Sequence, residues 1–128
     1  MRLLIDTHAF LWFAEGDRKL SDFGRDVVAD MRNDVLLSVA SIWEIATKAG
    51  LGKIELSGPF EPFVQRELSG FQVLPISTAH AIHVATLPHH HRDPFDRMLI
   101  AQSLIEGLPV LSNDRAFDVY GVERIWSG

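Results

Sequence analysis

What most constrains this chain is a recurring junction: short, unbroken apolar runs that pass straight into a helix start. Leu3-Leu4-Ile5 meets Asp6-Thr7, and Val35 to Val39 meets a segment opening at Ser41. An unbroken apolar run of this length reads as a strand covered on both faces, as strands of a parallel sheet are. Between the runs lie stretches with apolar residues at helical spacing, and parallel strands need such crossovers.

Taken in order, the pattern predicts a strand over Arg2 to Ile5 and a helix over His8 to Ala14, broken at Glu15-Gly16-Asp17. A second helix, Leu20 to Arg32, has Ser21 as N-cap and an apolar stripe of Phe23, Val27, Val28 and Met31. Then come a strand over Val35 to Val39 and a helix over Ser41 to Ala49, with Gly50 suited to its C-terminus. Gly52, Lys53 and Glu55 mark an exposed excursion. A helix over Pro59 to Leu68 comes next, with Pro59 and Glu61 in its first turn, then a strand over Phe71 to Ile76. A helix from Ser77 to Thr86, a second from Pro94 to Glu106, a strand over Pro109 to Leu111, a turn over Asp114 to Asp118 and a strand over Val122 to Trp126 complete the pattern. The expected fold class is α/β: a three-layer α/β/α sandwich around a central, mainly parallel sheet of four to five strands. Residues 1–128 read as one domain, with 47% hydrophobic residues to fill its core.

Composition excludes several classes. The absence of cysteine rules out a disulfide framework and thiolate metal sites, and suits a cytoplasmic location. The opening run is too short, and too soon charged, for a signal peptide or a membrane span. A net charge of −5 is the wrong sign for binding nucleic acid by electrostatics alone. If this chain handles nucleic acid, cations or a basic partner must neutralise an acidic site.

The acids themselves fall at one kind of place. Asp6 comes directly after the first strand, Glu44 lies in the first turn of the helix after the second, Asp96 lies in the first turn of the 94–106 helix, and Asp114 comes just after the fourth strand. In an open parallel sheet, strand ends and helix starts share the edge where ligands bind, which brings Asp6, Glu44 and Asp114 together; no strand immediately precedes the helix of Asp96, so this rule does not reach it. Each acid also has an ordinary explanation. Asp6 and Asp114 can cap the helical turns that succeed them, Ser41 and Glu44 spell a capping box, and Asp93 before Pro94 is an N-cap with Asp96 favourably placed in the helix dipole. Yet Thr7, Ser41, Ser77, Asp93 and Asn113 already suffice for capping. Carboxylates left to converge would repel one another and take up protons unless cations intervened. All-oxygen ligands suit Mg²⁺ or Mn²⁺, and the chemistry that fits is metal-assisted phosphodiester hydrolysis.

At this point the sequence resembles a known family. LLIDTHAFLW, the SxWEIATKxGxGKIxL pattern within residues 38–56, and LPxHHRDPFDRMLIAQ followed by LSNDRAFxxYGV are similar to the PIN-domain nucleases, and most to toxins of the VapC type. The resemblance covers essentially the whole chain. It implies a PIN-like sandwich, Mg²⁺- or Mn²⁺-dependent endoribonuclease activity, a homodimer and inhibition by a cognate antitoxin. It places the family's acidic quartet on Asp6, Glu44, Asp96 and Asp114, with Asp93 as an additional ligand or a cap. Thr7 and Ser112 match hydroxyl residues beside the first and last acids, where they can contact substrate.

Further residues carry open readings. Consecutive histidines cannot all point at one ion, so His89, His90 and His91 read as a solvated loop near the site. Arg92, Arg97 and Arg115 flank the acids and can meet RNA phosphates, while Arg97 and Arg115 can equally pair with neighbouring acids. Phe10, Trp12, Phe13 and Trp43 read as core or subunit interface. Two readings of other classes remain: a receiver-like signalling domain, and a catalytically inactive interaction module. A receiver needs an acid at the end of the third strand, where this chain has Leu74-Pro75-Ile76.

Overall fold

A computed structural model describes all residues, 1–128. Five strands, β1 (Arg2–Ile5), β2 (Asp34–Ser38), β3 (Gln72–Leu74), β4 (Val110–Leu111) and β5 (Arg124–Ile125), form one sheet in the order β3-β2-β1-β4-β5. Every neighbouring pair is parallel. Six α-helices connect them: α1 (Thr7–Glu15), α2 (Asp22–Ala29), α3 (Val39–Gly50), α4 (Phe60–Glu67), α5 (Thr78–Val84) and α6 (Pro94–Glu106).

The two faces of the sheet are read directly from strand alternation. Leu4, Leu36, Leu74 and Val110 face one way, into a core shared with Leu99 and Ile100 of α6 and with Phe117. Leu3, Ile5, Val35, Leu37 and Leu111 face the other way, against Ala9 and Phe10 of α1, Ile45 of α3 and Phe63 of α4. The sheet is therefore covered on both faces, which makes the expected three-layer α/β sandwich. Helix α3 contributes to both cores, Ala40 to the first and Ile45 to the second. It wraps the carboxyl edge of the sheet and reaches toward α6.

Several expected boundaries move for identifiable reasons. Helix α2 stops at Ala29, not Arg32, because the Asp30 carboxylate binds the Arg32 backbone N–H (2.9 Å) and guanidinium instead of letting the helix continue. Met31, read as part of the apolar stripe, is 98% exposed. Strand β2 ends at Ser38, whose hydroxyl accepts from the Ala40 N–H at 3.0 Å. Helix α3 therefore starts at Val39, ahead of the cap expected at Ser41. That correction moves Glu44 out of the first turn, so the Ser41–Glu44 capping box does not form. Pro59 takes the N-cap position of α4, not its first turn. The 94–106 helix matches its expected limits, bounded by the Asp93 cap and by Gly107 in the left-handed region at φ 66°.

Candidate functional site

The chain moves outward in one direction through β1, β2 and β3, and in the other through β4 and β5. The reversal lies between β1 and β4, paired as Ile5 with Leu111. Order 3-2-1-4-5 is that of one class of doubly wound sheet and differs from the 2-1-3-4-5 order of receiver domains. Asp6 and Ser112 succeed the two strands at this crevice.

Asp6 caps α1, accepting from the Ala9 N–H at 2.7 Å. It also takes a hydrogen bond from the Ser112 hydroxyl, which in turn accepts the Asp114 N–H at 3.0 Å. Burial pushes the Asp6 carboxyl above the usual carboxylate range, and the hydrogen bonds of Ser112 and Ala9 pull the other way. Thr7 donates to the Ser41 hydroxyl at 2.9 Å, tying α1 to α3. Thr7 and Ser112 are both buried, and each hydroxyl is engaged in a hydrogen bond within the protein.

Glu44 is 2% exposed. Its Oε2 accepts from Lys48 Nζ at 2.5 Å, one helical turn along α3, while its Oε1 is buried with no hydrogen-bond partner. Lys48 is held above its ordinary pKa by Glu44, with smaller contributions from Asp93 and Asp96. Its ammonium is the chain's own counterion for the acidic crevice. Sequence reasoning missed Lys48, although the i,i+4 spacing from Glu44 carries that signal.

At the start of α6, Asp93 Oδ1 accepts from the N–H groups of Phe95 (2.8 Å) and Asp96 (3.0 Å), an ordinary N-cap. Asp96 is then free of capping work, and its Oδ2 lies 2.9 Å from His91 Nε2. His91 Nδ1 accepts the Asp93 N–H at 3.3 Å, so in the neutral ring the proton sits on Nε2 and is donated to Asp96. Burial raises the Asp96 carboxyl to about 6, helped by the charges of Asp93 and Glu44 and, more weakly, Asp6. Asp6 in turn feels Asp114. One ligand atom each from His91, Asp96 and Asp114 lies within 4.8 Å of the others, a spacing that fits a shared cation. Asp6, Glu44 and Asp93 lie outside that tightest grouping and act on it through their charge. His91 therefore leaves the solvated histidine loop and joins the acids. Only His89 and His90 stay exposed, with the His90 ring against Tyr120.

Arg97 needs a larger correction. It is buried and donates to the carbonyls of Pro88 (2.9 Å), Val84 (3.0 Å) and Leu87 (3.2 Å). It pairs with no carboxylate, and it pins the segment that delivers His91. Arg92 and Arg115 are exposed and make no salt bridge.

An apolar cavity of about 470 Å³ lies between α3, α5 and α6 and shares His91 with the acidic grouping. No helix is long and apolar enough to cross a membrane.

Comparison with known proteins places this geometry. The curated relative "Ribonuclease VapC16" of Mycobacterium tuberculosis (strain ATCC 25618 / H37Rv) is 40% identical over 57 residues, 44% of this chain and 40% of that protein. The chain thus matches less than half the length of that relative. Two solved structures share the fold. VapBC2 from Rickettsia felis, bound to a DNA fragment from its promoter, superposes with a TM-score of 0.73 at 13% identity over 98% of each chain. FitAcB from Neisseria gonorrhoeae gives 0.71 at 17% identity over 98% of this chain and 97% of that one. The family model for the PIN domain matches residues 3–123, and the chain belongs to the PIN-domain family.

Proposed function

We propose that this chain is a Mg²⁺- or Mn²⁺-dependent endoribonuclease and the toxin of a VapBC-type pair, held in check by a cognate antitoxin, dimeric and cytoplasmic. The observation that carries this reading is the crevice itself: His91, Asp96 and Asp114 grouped within 4.8 Å, beside a Glu44 whose Oε1 is buried without a partner. A buried carboxylate oxygen without a donor is costly, and a cation is the partner that would complete it. The donor set is rich in carboxylate oxygen and has no sulfur, which fits Mg²⁺ or Mn²⁺. Asp6, Glu44, Asp96 and Asp114 would hold the ion directly or through water, with Asp93 beside them as the cap of α6.

When bound, a divalent cation neutralises charge at the phosphate and makes water a better nucleophile near neutral pH. The chain's own residues do the rest. Ser112 and the Ala9 N–H orient Asp6. His91 orients Asp96 and, by donating its Nε2 proton, favours the ionised carboxylate. Lys48 pairs with Glu44 and leaves a positive charge beside the acids for an incoming phosphate. Arg92 and Arg115, exposed at the flanks, would meet the RNA backbone.

The relative named a ribonuclease supports the substrate, and the VapBC2 structure among the fold neighbours supports the partner. The test is incubation of purified protein with single-stranded RNA, with Mn²⁺ and with chelator. Cleavage that needs Mn²⁺ and vanishes in Asp6→Asn is the expected result. Cleavage that survives Asp6→Asn or chelation would overturn the reading.

A further inference from the structure

The cavity between α3, α5 and α6 carries an inference beyond the acidic site. On α3, Trp43 immediately precedes Glu44, and on α6, Phe95 immediately precedes Asp96. Two helices thus present an aromatic ring one residue before an acid, and the rings meet edge to face, with centroids 4.9 Å apart at 80°. They line a cavity whose remaining wall includes Met98, His91 and Arg92. Its volume, about 470 Å³, is in the range of small-ligand sites. His91 belongs to both places, lining this cavity while bonding Asp96 at 2.9 Å.

The rim explains what such a cavity would take. Trp43 is 59% exposed while lining this cavity. Arg92 is exposed at the same mouth and supplies the positive charge that a phosphate-linked ligand needs. An apolar slot with an indole wall, a cationic rim and a wall shared with the acids through His91 matches an unpaired nucleobase whose backbone continues across the acidic crevice. We infer that this cavity is a nucleobase subsite, which holds one unstacked base of a single-stranded RNA next to the phosphate being cut and thereby selects the cleavage position. The inference rests on the nuclease reading for its substrate, but its test reads binding and is independent of cleavage.

The probe is a short fluorescent single-stranded RNA, with a series in which one position at a time lacks its base. Anisotropy is measured with Mg²⁺ on the Asp6→Asn protein, which keeps the RNA intact. Loss of one particular base should weaken binding by roughly fivefold to 150-fold, the range of base–aromatic stacking. Trp43→Ala should weaken intact RNA by a similar factor and erase the difference between intact and base-less strands. Trp43→Phe should retain most of it. Trp43 is exposed, so its truncation leaves the cores untouched. Equal binding of every base-less strand, or unchanged RNA affinity in Trp43→Ala, overturns the subsite. Light scattering that shows Trp43→Ala separating a dimer, with RNA affinity unchanged, assigns the surface to a second copy and also overturns it. Base-dependent binding by a wild-type protein that cuts no RNA would sink the nuclease reading and leave the subsite standing.

Discussion

Helix α6 carries a histidine–carboxylate pair at each end. At its C-terminal end His80 Nε2 lies 2.9 Å from Glu106, and at its N-terminal end His91 Nε2 lies 2.9 Å from Asp96. Both rings accept a backbone N–H at Nδ1, from Ser77 and from Asp93, so both are held in the same tautomer. His80 sits in a closed capping box, nearly inaccessible, with a single half-exposed acid for company. His91 faces an acid that also feels Asp93, Glu44 and Asp6. One geometry therefore serves two ends, and the number of neighbouring charges decides the difference. A lone pair fixes a helix. A crowded one stores repulsion that a cation can relieve.

The largest expected break in this comparison comes from neutralising the carboxylates. Asp96→Asn should lower RNA cleavage by at least about a thousandfold, because a metal centre supplies several kcal/mol of transition-state stabilisation, while Glu106→Gln should leave the rate within about twofold. Single-turnover cleavage measures both.

Next is the residue between the two ends. Arg97→Met should destabilise the fold by about 3 kcal/mol or more, since three buried carbonyls lose a charged donor at once. Chemical denaturation reads this loss. His91→Ala should weaken Mn²⁺ binding by about 10- to 100-fold, the usual cost of losing a group that orients a ligand, whereas His80→Ala should leave it unchanged. Titration calorimetry separates the two.

A smaller effect concerns pH. The folded Asp96 carboxyl lies at about 6 against an ordinary 3.8, so between those values the folded protein holds a proton that the unfolded chain has released. Metal-free stability should therefore fall as pH rises through that window, and Asp6, also raised, adds in the same direction. Cation binding needs the ionised form. The rise in melting temperature given by Mn²⁺ should accordingly be larger near pH 7 than near pH 5, and Asp96→Asn should flatten that difference. Glu106→Gln is the mildest change, within about 1 kcal/mol of wild type and without influence on the Mn²⁺ increment.

What could be read in the sequence depended on how local the signal was. Helix α6 was legible to the residue, because Asp93-Pro94 and Gly107 are strong start and stop signals that the backbone obeys. The parallel sheet was legible because unbroken apolar runs alternated with helical stretches. The S-x-x-E signal at Ser41 misled because Ser38, earlier in the chain, captured the cap, and this competitor was hidden inside a strand pattern. Arg97 looked like a surface cation beside acids. Its burial is set by the carbonyls of Val84, Leu87 and Pro88, which no spacing rule brings near it. His91 could not be told from its two histidine neighbours until the loop's path was fixed, and Lys48 was readable but overlooked.

The central place of β1 has a consequence for timing. Its edges are completed by β2 on one side and β4 on the other, with Leu4 N–H on the Pro109 carbonyl and Asp6 N–H on the Leu111 carbonyl. A ribosome emits Asp6 long before residues 109–114. The acidic crevice between β1 and β4 cannot exist on a half-made chain; Asp6 waits without its neighbours Ser112 and Asp114 until that late segment has emerged.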